Sequence, residues 1–308
     1  MSRKIELLLH IFLLCFLLIG CNKTTPTDDP IDYLGVIPPT GDETRFDPDG
    51  YLANSIWFWH SAPVFSPDGT EMYWSKYLIG VDRIQIWYTR KVGGIWTAPI
   101  KLEIDGLEGD TNCPAFKSGD DGLYFINYSG STFTIYRATR IESGWGNPIA
   151  LALPIPQGLS IGWSFSFAEN GNLYLPLSRS DGLGVDQIYV SFLNNGNYES
   201  PILIENQGTG LYGNGDVAIA PDESFMIFMS SRNTGFGYHD LYISFKTGEG
   251  TFSEPINLGN QINTSSEEGR AYITRDGQYL FFTTSKAGDS GYNPYWIRID
   301  QLDAYNTH

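Results

Sequence analysis

From about residue 60 onward the chain repeats one pattern of apolar and polar positions. A short apolar run meets a polar turn, an aromatic run follows, then a glycine-bearing polar loop, a second aromatic run and a last short run carrying proline. The runs are short, rich in aromatic and β-branched residues and without helical period, which predicts β-strands. APVFS at 62–66 is such a first strand and EMYWS at 71–75 its partner; GLYFI at 122–126 and YLFFT at 279–283 are later second strands. Third strands centre on IWYT at 86–89, IYRA at 135–138, IYVS at 188–191, LYIS at 241–244 and YWIR at 295–298. The turns are Asp68 and Gly69, Asp121 and Gly122, Asn170 and Gly171, Asp222 and Glu223, Asp276 and Gly277, with their final residues 49–54 apart. Such residues accept the positive φ of a tight hairpin. Fourth strands pair an aromatic with proline three places on: Trp96 and Pro99, Trp145 and Pro148, Tyr198 and Pro201, Phe252 and Pro255. Proline donates nothing to a ladder, so this recurring proline puts the fourth strand at the outer edge.

Three markers in one order and at one period of about fifty residues describe propeller blades. The expected fold is all-β, a five-bladed β-propeller of four-stranded antiparallel blades over residues 45–308. A sixth blade would need a further repeat that the sequence does not display. The fifth unit stops after its third strand, near Asp300. RFDPDGYLA at 45–53, with Phe46 and Pro48, is expected to supply its missing outer strand and close the ring.

The N-terminus carries a different message. Arg3 and Lys4 precede a leucine-rich run from Leu7 to Ile19, which falls short of the roughly 20 apolar residues of a membrane-spanning helix. A cleaved signal peptide over 1–20 is the reading. Leu18, Ile19, Gly20 and Cys21 resemble a bacterial lipobox, and that resemblance implies that Cys21 is lipidated and becomes the mature N-terminus. Residues 21–44 then read as a polar tether, and the lipid as an anchor, not a span. The expected location is the cell envelope, at the outer membrane ahead of the inner, with the propeller in the periplasm or at the cell surface.

The whole chain has a net charge of −16, and removing residues 1–20 leaves 17 basic and 34 acidic residues. That surface repels phosphate backbones and anionic lipid heads, so nucleic acid is excluded and only the lipid should touch the membrane. Of three cysteines, Cys15 leaves with the signal and Cys21 is lipidated, so Cys113 reads as a small buried hydrophobe. His60, His239 and His308 are too few for a histidine-rich metal site. No cofactor is implied, although a Ca²⁺ site of acids and carbonyls stays open. No serine-nucleophile elbow, zinc spacing, phosphate loop or dinucleotide fingerprint occurs.

Blade one, A-x-PVFSPDGTEMYWS, with weaker copies in the other blades, resembles the WD40-like repeat of TolB-type β-propellers. The family's serine and basic residue at the end of strand two, and aspartate before strand three, have counterparts in Ser178, Arg179 and Asp186 and in Ser231, Arg232 and Asp240. Their recurrence at matched positions reads as hairpin-stabilising pairs, Arg179 with Asp186 and Arg232 with Asp240. The resemblance covers residues 45–300 and implies fold, not activity. Lipobox and propeller together are similar to envelope lipoproteins of the Bacteroidetes type.

Positions that differ between blades are the better candidates for function. At the starts of the inner strands the columns are His60, Thr111, Gly162, Asn214, Glu268; Ser61, Asn112, Trp163, Gly215, Gly269; and Ala62, Cys113, Ser164, Asp216, Arg270. These surround one mouth of a propeller channel. His60, Asn112, Trp163, Asp216, Glu268 and Arg270 are therefore the candidate ligand-binding residues, with Trp57, Trp59, Tyr212, Phe236 and Tyr238 on loops at the same mouth. Aromatic faces among carboxylates suit a glycan, a cationic group or a peptide. The rival reading is a five-bladed glycosidase using Asp216, Glu268 and Asp110 with His60 as proton carrier.

Overall fold

The computed structural model describes residues 32–47, 61–78, 83–142, 144–181, 185–205, 212–286 and 291–308. They form a five-bladed β-propeller. Blade four shows the plan: Asn214–Ile219 pairs antiparallel with Phe225–Ser230, which pairs with Asp240–Gly248, which pairs with two outer pieces, Thr251–Phe252 and Ile256–Asn257.

The turn from strand one to strand two is built identically in all five blades. Asp68, Asp120, Asn170, Asp222 and Asp276 each accept the backbone N–H two residues on, at 2.7–3.0 Å. This side-chain mimic of a turn is why Asx residues recur there. In blade two the structural residue is Asp120, not Asp121, one place earlier than the Asp-Gly pair suggests.

Proline's place in the outer strand also has a local cause. Pro99, Pro148, Pro201 and Pro255 each fall between the two short pieces of that strand, where the ladder is interrupted. In three blades a third-strand hydroxyl clamps the interruption. Thr89 donates to the Thr97 carbonyl at 2.6 Å, and Ser191 and Ser244 donate to Glu199 and Ser253 at 2.5 Å. Blade two has Ala138 in that register. Proline is not confined to outer strands: Pro114, Pro176 and Pro294 lie in first, second and third strands.

The core is five separate apolar layers, one between each pair of neighbouring blades. A blade is thus apolar on both faces, which is what the aromatic runs supply. Several polar groups enter these layers as bonded clusters, although the Tyr33, Trp87, Trp96, Tyr242 and Trp296 groups lie buried without a partner. Between blades one and two, Arg140 forks the carboxylate of Glu71, which also accepts the Tyr73 hydroxyl at 2.8 Å. Glu223 joins blades three and four, accepting from Asn172 at 2.8 Å, Tyr174 at 3.0 Å and Lys246 at 2.6 Å. Burial opposes its ionisation, but these three donors outweigh burial and hold its pKa below the ordinary range.

Ring closure follows the sequence expectation with a shift in position. Thr44–Arg45 is the outer strand of blade five, pairing with Trp296 and Tyr295. Phe46 extends the contact by donating its N–H to the Pro294 carbonyl at 2.9 Å. Its ring is fully buried among Phe65 of blade one and Phe281 and Trp296 of blade five. Tyr33 packs in the same seam, 5.2 Å from the Phe65 ring and 5.0 Å from Trp296. Asp32 pairs with Lys91 of blade one, and Glu43 with Lys286 of blade five. Pro48 and the rest of 48–53 lie outside the described residues. So does Cys21.

Candidate functional site

The first strands of the five blades surround a central channel with a free volume of about 130 Å³. Their starting ends form an upper collar, and the turns after them form the floor. The collar is shaped by backbone irregularity. Inner strands of blades two, four and five each slip register once, between Asn112 and Ala115, Gly215 and Ala218, and Gly269 and Tyr272. In each case the extra residue is a non-glycine with left-handed backbone: Cys113 at φ 54°, Asp216 at φ 45° and Arg270 at φ 54°. A bulge turns such a side chain out of the blade and toward the channel. The conformation costs about 1–2 kcal/mol per residue, and bulges of this kind concentrate at functional sites. All three residues occupy the third sequence column.

Blade three reaches the same end by another route. Pro176 sits in its second strand and has no N–H to give the first strand. The first strand is accordingly split into Leu159–Ile161 and Ser166–Phe167, and Trp163 and Ser164 occupy the gap.

Asp216 and Arg270 join blades four and five. The Arg270 side chain donates to Asp216 Oδ1 at 2.8 Å, and its own backbone N–H donates to Oδ2 at 3.1 Å. Gly269 makes the approach feasible, since a Cβ there would meet Asp216 Oδ2 at 3.0 Å. The pair is charge-neutral. Two other collar groups differ from each other: the Ser164 hydroxyl is buried with no hydrogen-bond partner, while the Asn112 side chain makes no hydrogen bond among the described residues, and its amide is not among the fully buried unpaired groups. Cys113 differs. Burial pushes its thiol up to about 11, and it reaches only the Phe165 carbonyl, at 3.9 Å.

Of the six candidate residues, the structure brings Asn112, Trp163, Asp216 and Arg270 together around the collar. Trp163 is 39% exposed and rests on Phe133 and Tyr128, with ring centroids 4.5 and 5.5 Å away. Glu268 does not line the channel. Its carboxylate is fully buried and accepts from the Thr264 hydroxyl, the Thr264 N–H and the Thr284 hydroxyl at 2.7, 3.0 and 2.6 Å. Its neighbour Glu267 faces a small recess beside Asp216 and Arg270. There it accepts the Tyr292 hydroxyl at 2.7 Å and meets His239 Nδ1 at 2.7 Å. His60, Trp57 and Trp59 lie outside the described residues. Tyr212 donates to Asn233 at 3.1 Å, and Phe236 and Tyr238 are exposed. Asp110 accepts the Ile84 N–H of blade one at 3.1 Å.

The two expected hairpin pairs are replaced by other partners. Arg179 forks Asp181, two residues on, and Arg232 donates to Ser230 at 2.8 Å and Asn214 at 3.3 Å. Asp240 instead caps its own loop, accepting the N–H groups of Phe236 and Gly237 at 2.6 and 3.0 Å. Asp186 is left without its arginine. Burial raises its pKa, the Ser178 hydroxyl partly offsets this, and the charge of Asp216 adds to the rise. Glu267 and Tyr292 escape sequence reasoning, because nothing in their spacing marks an inter-blade recess. Among the described residues, no three His, Cys, Asp or Glu side chains converge to hold a metal ion.

No protein-family profile matches the sequence, and no curated protein resembles it in sequence. Solved structures resemble it in fold. A protein of unknown function from Dyadobacter fermentans superposes with a TM-score of 0.54 at 10% identity, covering 86% of this chain and 84% of its own. A GH43_12 protein retrieved from a capybara gut metagenome gives 0.50 at 15% identity, covering 88% and 55%. TolB from Acinetobacter baumannii gives 0.49 at 16% identity, covering 78% and 54%. The chain spans about half the length of the TolB and GH43_12 chains. What they share with it is the propeller.

Proposed function

We propose that this chain is a non-catalytic binding propeller of the bacterial cell envelope, anchored through a lipid on Cys21, that holds a glycan or peptide ligand at its collar. The supporting observation is the 39% exposed Trp163 at the collar together with Asn112, whose side chain makes no hydrogen bond among the described residues. Hydrogen-bonding groups next to an exposed indole suit recognition by contact. The neutralised Asp216–Arg270 pair offers no free charge to drive chemistry. A glycan and peptide array incubated with the purified protein tests this. Binding that weakens about tenfold or more in Asn112→Ala or Trp163→Ala supports it, and ligands indifferent to both substitutions refute it.

Glycoside hydrolysis is the second reading, favoured by one observation. Asp186 has its pKa raised by burial and feels the charge of Asp216, and carboxyls in contrasting environments are how acid and base roles divide. Asp216→Asn separates the readings. Asparagine tolerates the left-handed backbone, so the collar keeps its shape. A binding site changes affinity modestly, whereas a hydrolase loses orders of magnitude in rate on its polysaccharide.

A further inference from the structure

The channel is polar at both ends, with Asn112, Asp216 and Arg270 at the collar and Lys117, Ser118, Glu169 and Arg275 at the floor, and apolar between them. Below the collar its wall is apolar, formed by Phe65, Phe165 and Val217, which are buried, and by Ala115, Phe167 and Tyr272, which are partly buried. At the floor Arg275 of blade five donates to Ser118 of blade two at 3.3 Å, bridging blades that are not neighbours and narrowing the lower mouth. The space between is therefore an apolar throat entered from the collar.

We infer that this throat takes an amphiphile: one aromatic or branched aliphatic group seated below the collar, carried on an uncharged, hydroxylated head. The inference rests on the binding reading above and adds the ligand's polarity and size. The free volume of about 130 Å³, which covers the whole channel with its collar and floor, sets an upper limit on size, since a cavity of roughly 150 Å³ holds a single benzene ring. The collar sets the head. The Asn112 side chain, which lines the channel and makes no hydrogen bond among the described residues, offers an uncharged contact, while the mutual pairing of Asp216 and Arg270 leaves a charged head to compete with one of them for the other. The chain's net charge of −16 further disfavours an anion.

The test compares phenyl β-D-glucoside, methyl β-D-glucoside and phenol on the purified full chain, with saturation-transfer NMR to identify the buried protons and titration to rank affinities. Phenyl glucoside should bind at least about tenfold more tightly than methyl glucoside, the gain from burying one ring, with saturation strongest on its aromatic protons. Phenol should bind weakly and compete with it. Ala115→Leu, which adds volume to the throat wall, should remove the phenyl advantage, its fold being checked by melting. Equal affinities for phenyl and methyl glucoside would overturn the throat inference and leave the binding reading standing. Absence of aryl saturation in both phenyl glucoside and phenol would overturn it as well, whether or not Ala115→Leu folds. Phenyl glucoside binding no better than phenol would keep the ring in the throat and refute the collar's part.

Discussion

Phe46→Ala isolates the closing seam from the rest of the ring. The Phe46 ring is fully buried, with centroid distances of 5.1 Å to Phe281, 5.2 Å to Trp296 and 6.4 Å to Phe65. Its backbone N–H bond to the Pro294 carbonyl does not depend on the side chain and should survive. Truncating a buried phenylalanine costs about 3–5 kcal/mol, and the seam is walled by rigid aromatic rings that cannot collapse into the void. At about 2 °C per kcal/mol for a domain of this size, a loss near 4 kcal/mol lowers the melting temperature by about 8 °C. Urea denaturation should show a lower midpoint at an unchanged slope, since the same surface unfolds. Ile37→Ala is the control from the same segment: Ile37 is 86% exposed, so its removal should move stability by no more than about 0.5 kcal/mol. A Phe46→Ala protein melting within the control's range would refute closure through this ring. Deleting 32–47 altogether would expose the edge of Asn293–Arg298 and should produce aggregation.

Other expectations concern charge, binding and address. Asp120 accepts from Arg137, Tyr124 and the Gly122 N–H; burial opposes its ionisation, but these donors outweigh it and depress its pKa strongly. A depressed carboxyl stabilises the fold above its unfolded pKa of about 3.9 and ceases to as pH falls. Asp120→Asn should therefore be about 2 kcal/mol less stable at pH 7, with the gap to wild type narrowing from pH 4 downward; a constant gap across an acid titration would contradict this. Trp163→Ala should cost about 1 kcal/mol of stability through its lost ring contacts with Tyr128 and Phe133 but weaken a collar ligand by about 1–3 kcal/mol, measured by melting and titration on the same preparation. Unchanged affinity would remove Trp163 from the site. Cys21→Ala should abolish incorporation of labelled fatty acid and release the protein from membranes, and an unlabelled wild type would end the lipoprotein proposal.

Blade number and strand order were readable from the sequence because propeller blades repeat their constraints. The Asx turn, the aromatic strand centre and the outer-strand proline each answer a local demand that recurs five or four times. The failures come where one residue of offset matters. Asp120 and Asp121 are indistinguishable by composition, and only the bond to Gly122 shows which one makes the turn. Glu267 and Glu268 are adjacent acids at the start of a strand, and alternating side-chain direction sends one to the recess and the other to the interior. Three members of the third column reach the channel because they are bulged, and at Cys113, Asp216 and Arg270 the left-handed residue is itself not a glycine. Ser164 owes its position to Pro176, twelve residues later, whose missing N–H splits the facing strand. Arg179 had two nearby aspartates to choose from, and it took the one within its own loop.

The strap over 32–47 has a mechanical meaning. Tension applied at the N-terminal end does not arrive first at the two-residue strand Thr44–Arg45. It meets the Asp32–Lys91 contact on blade one and then the Tyr33 ring, wedged between Phe65 of blade one and Trp296 of blade five. Load is thus divided between the two blades that form the seam before any of it can peel the closing ladder. The arrangement works as strain relief on a cable, keeping a pull at the N-terminal end of 32–47 from becoming an unzipping of the ring.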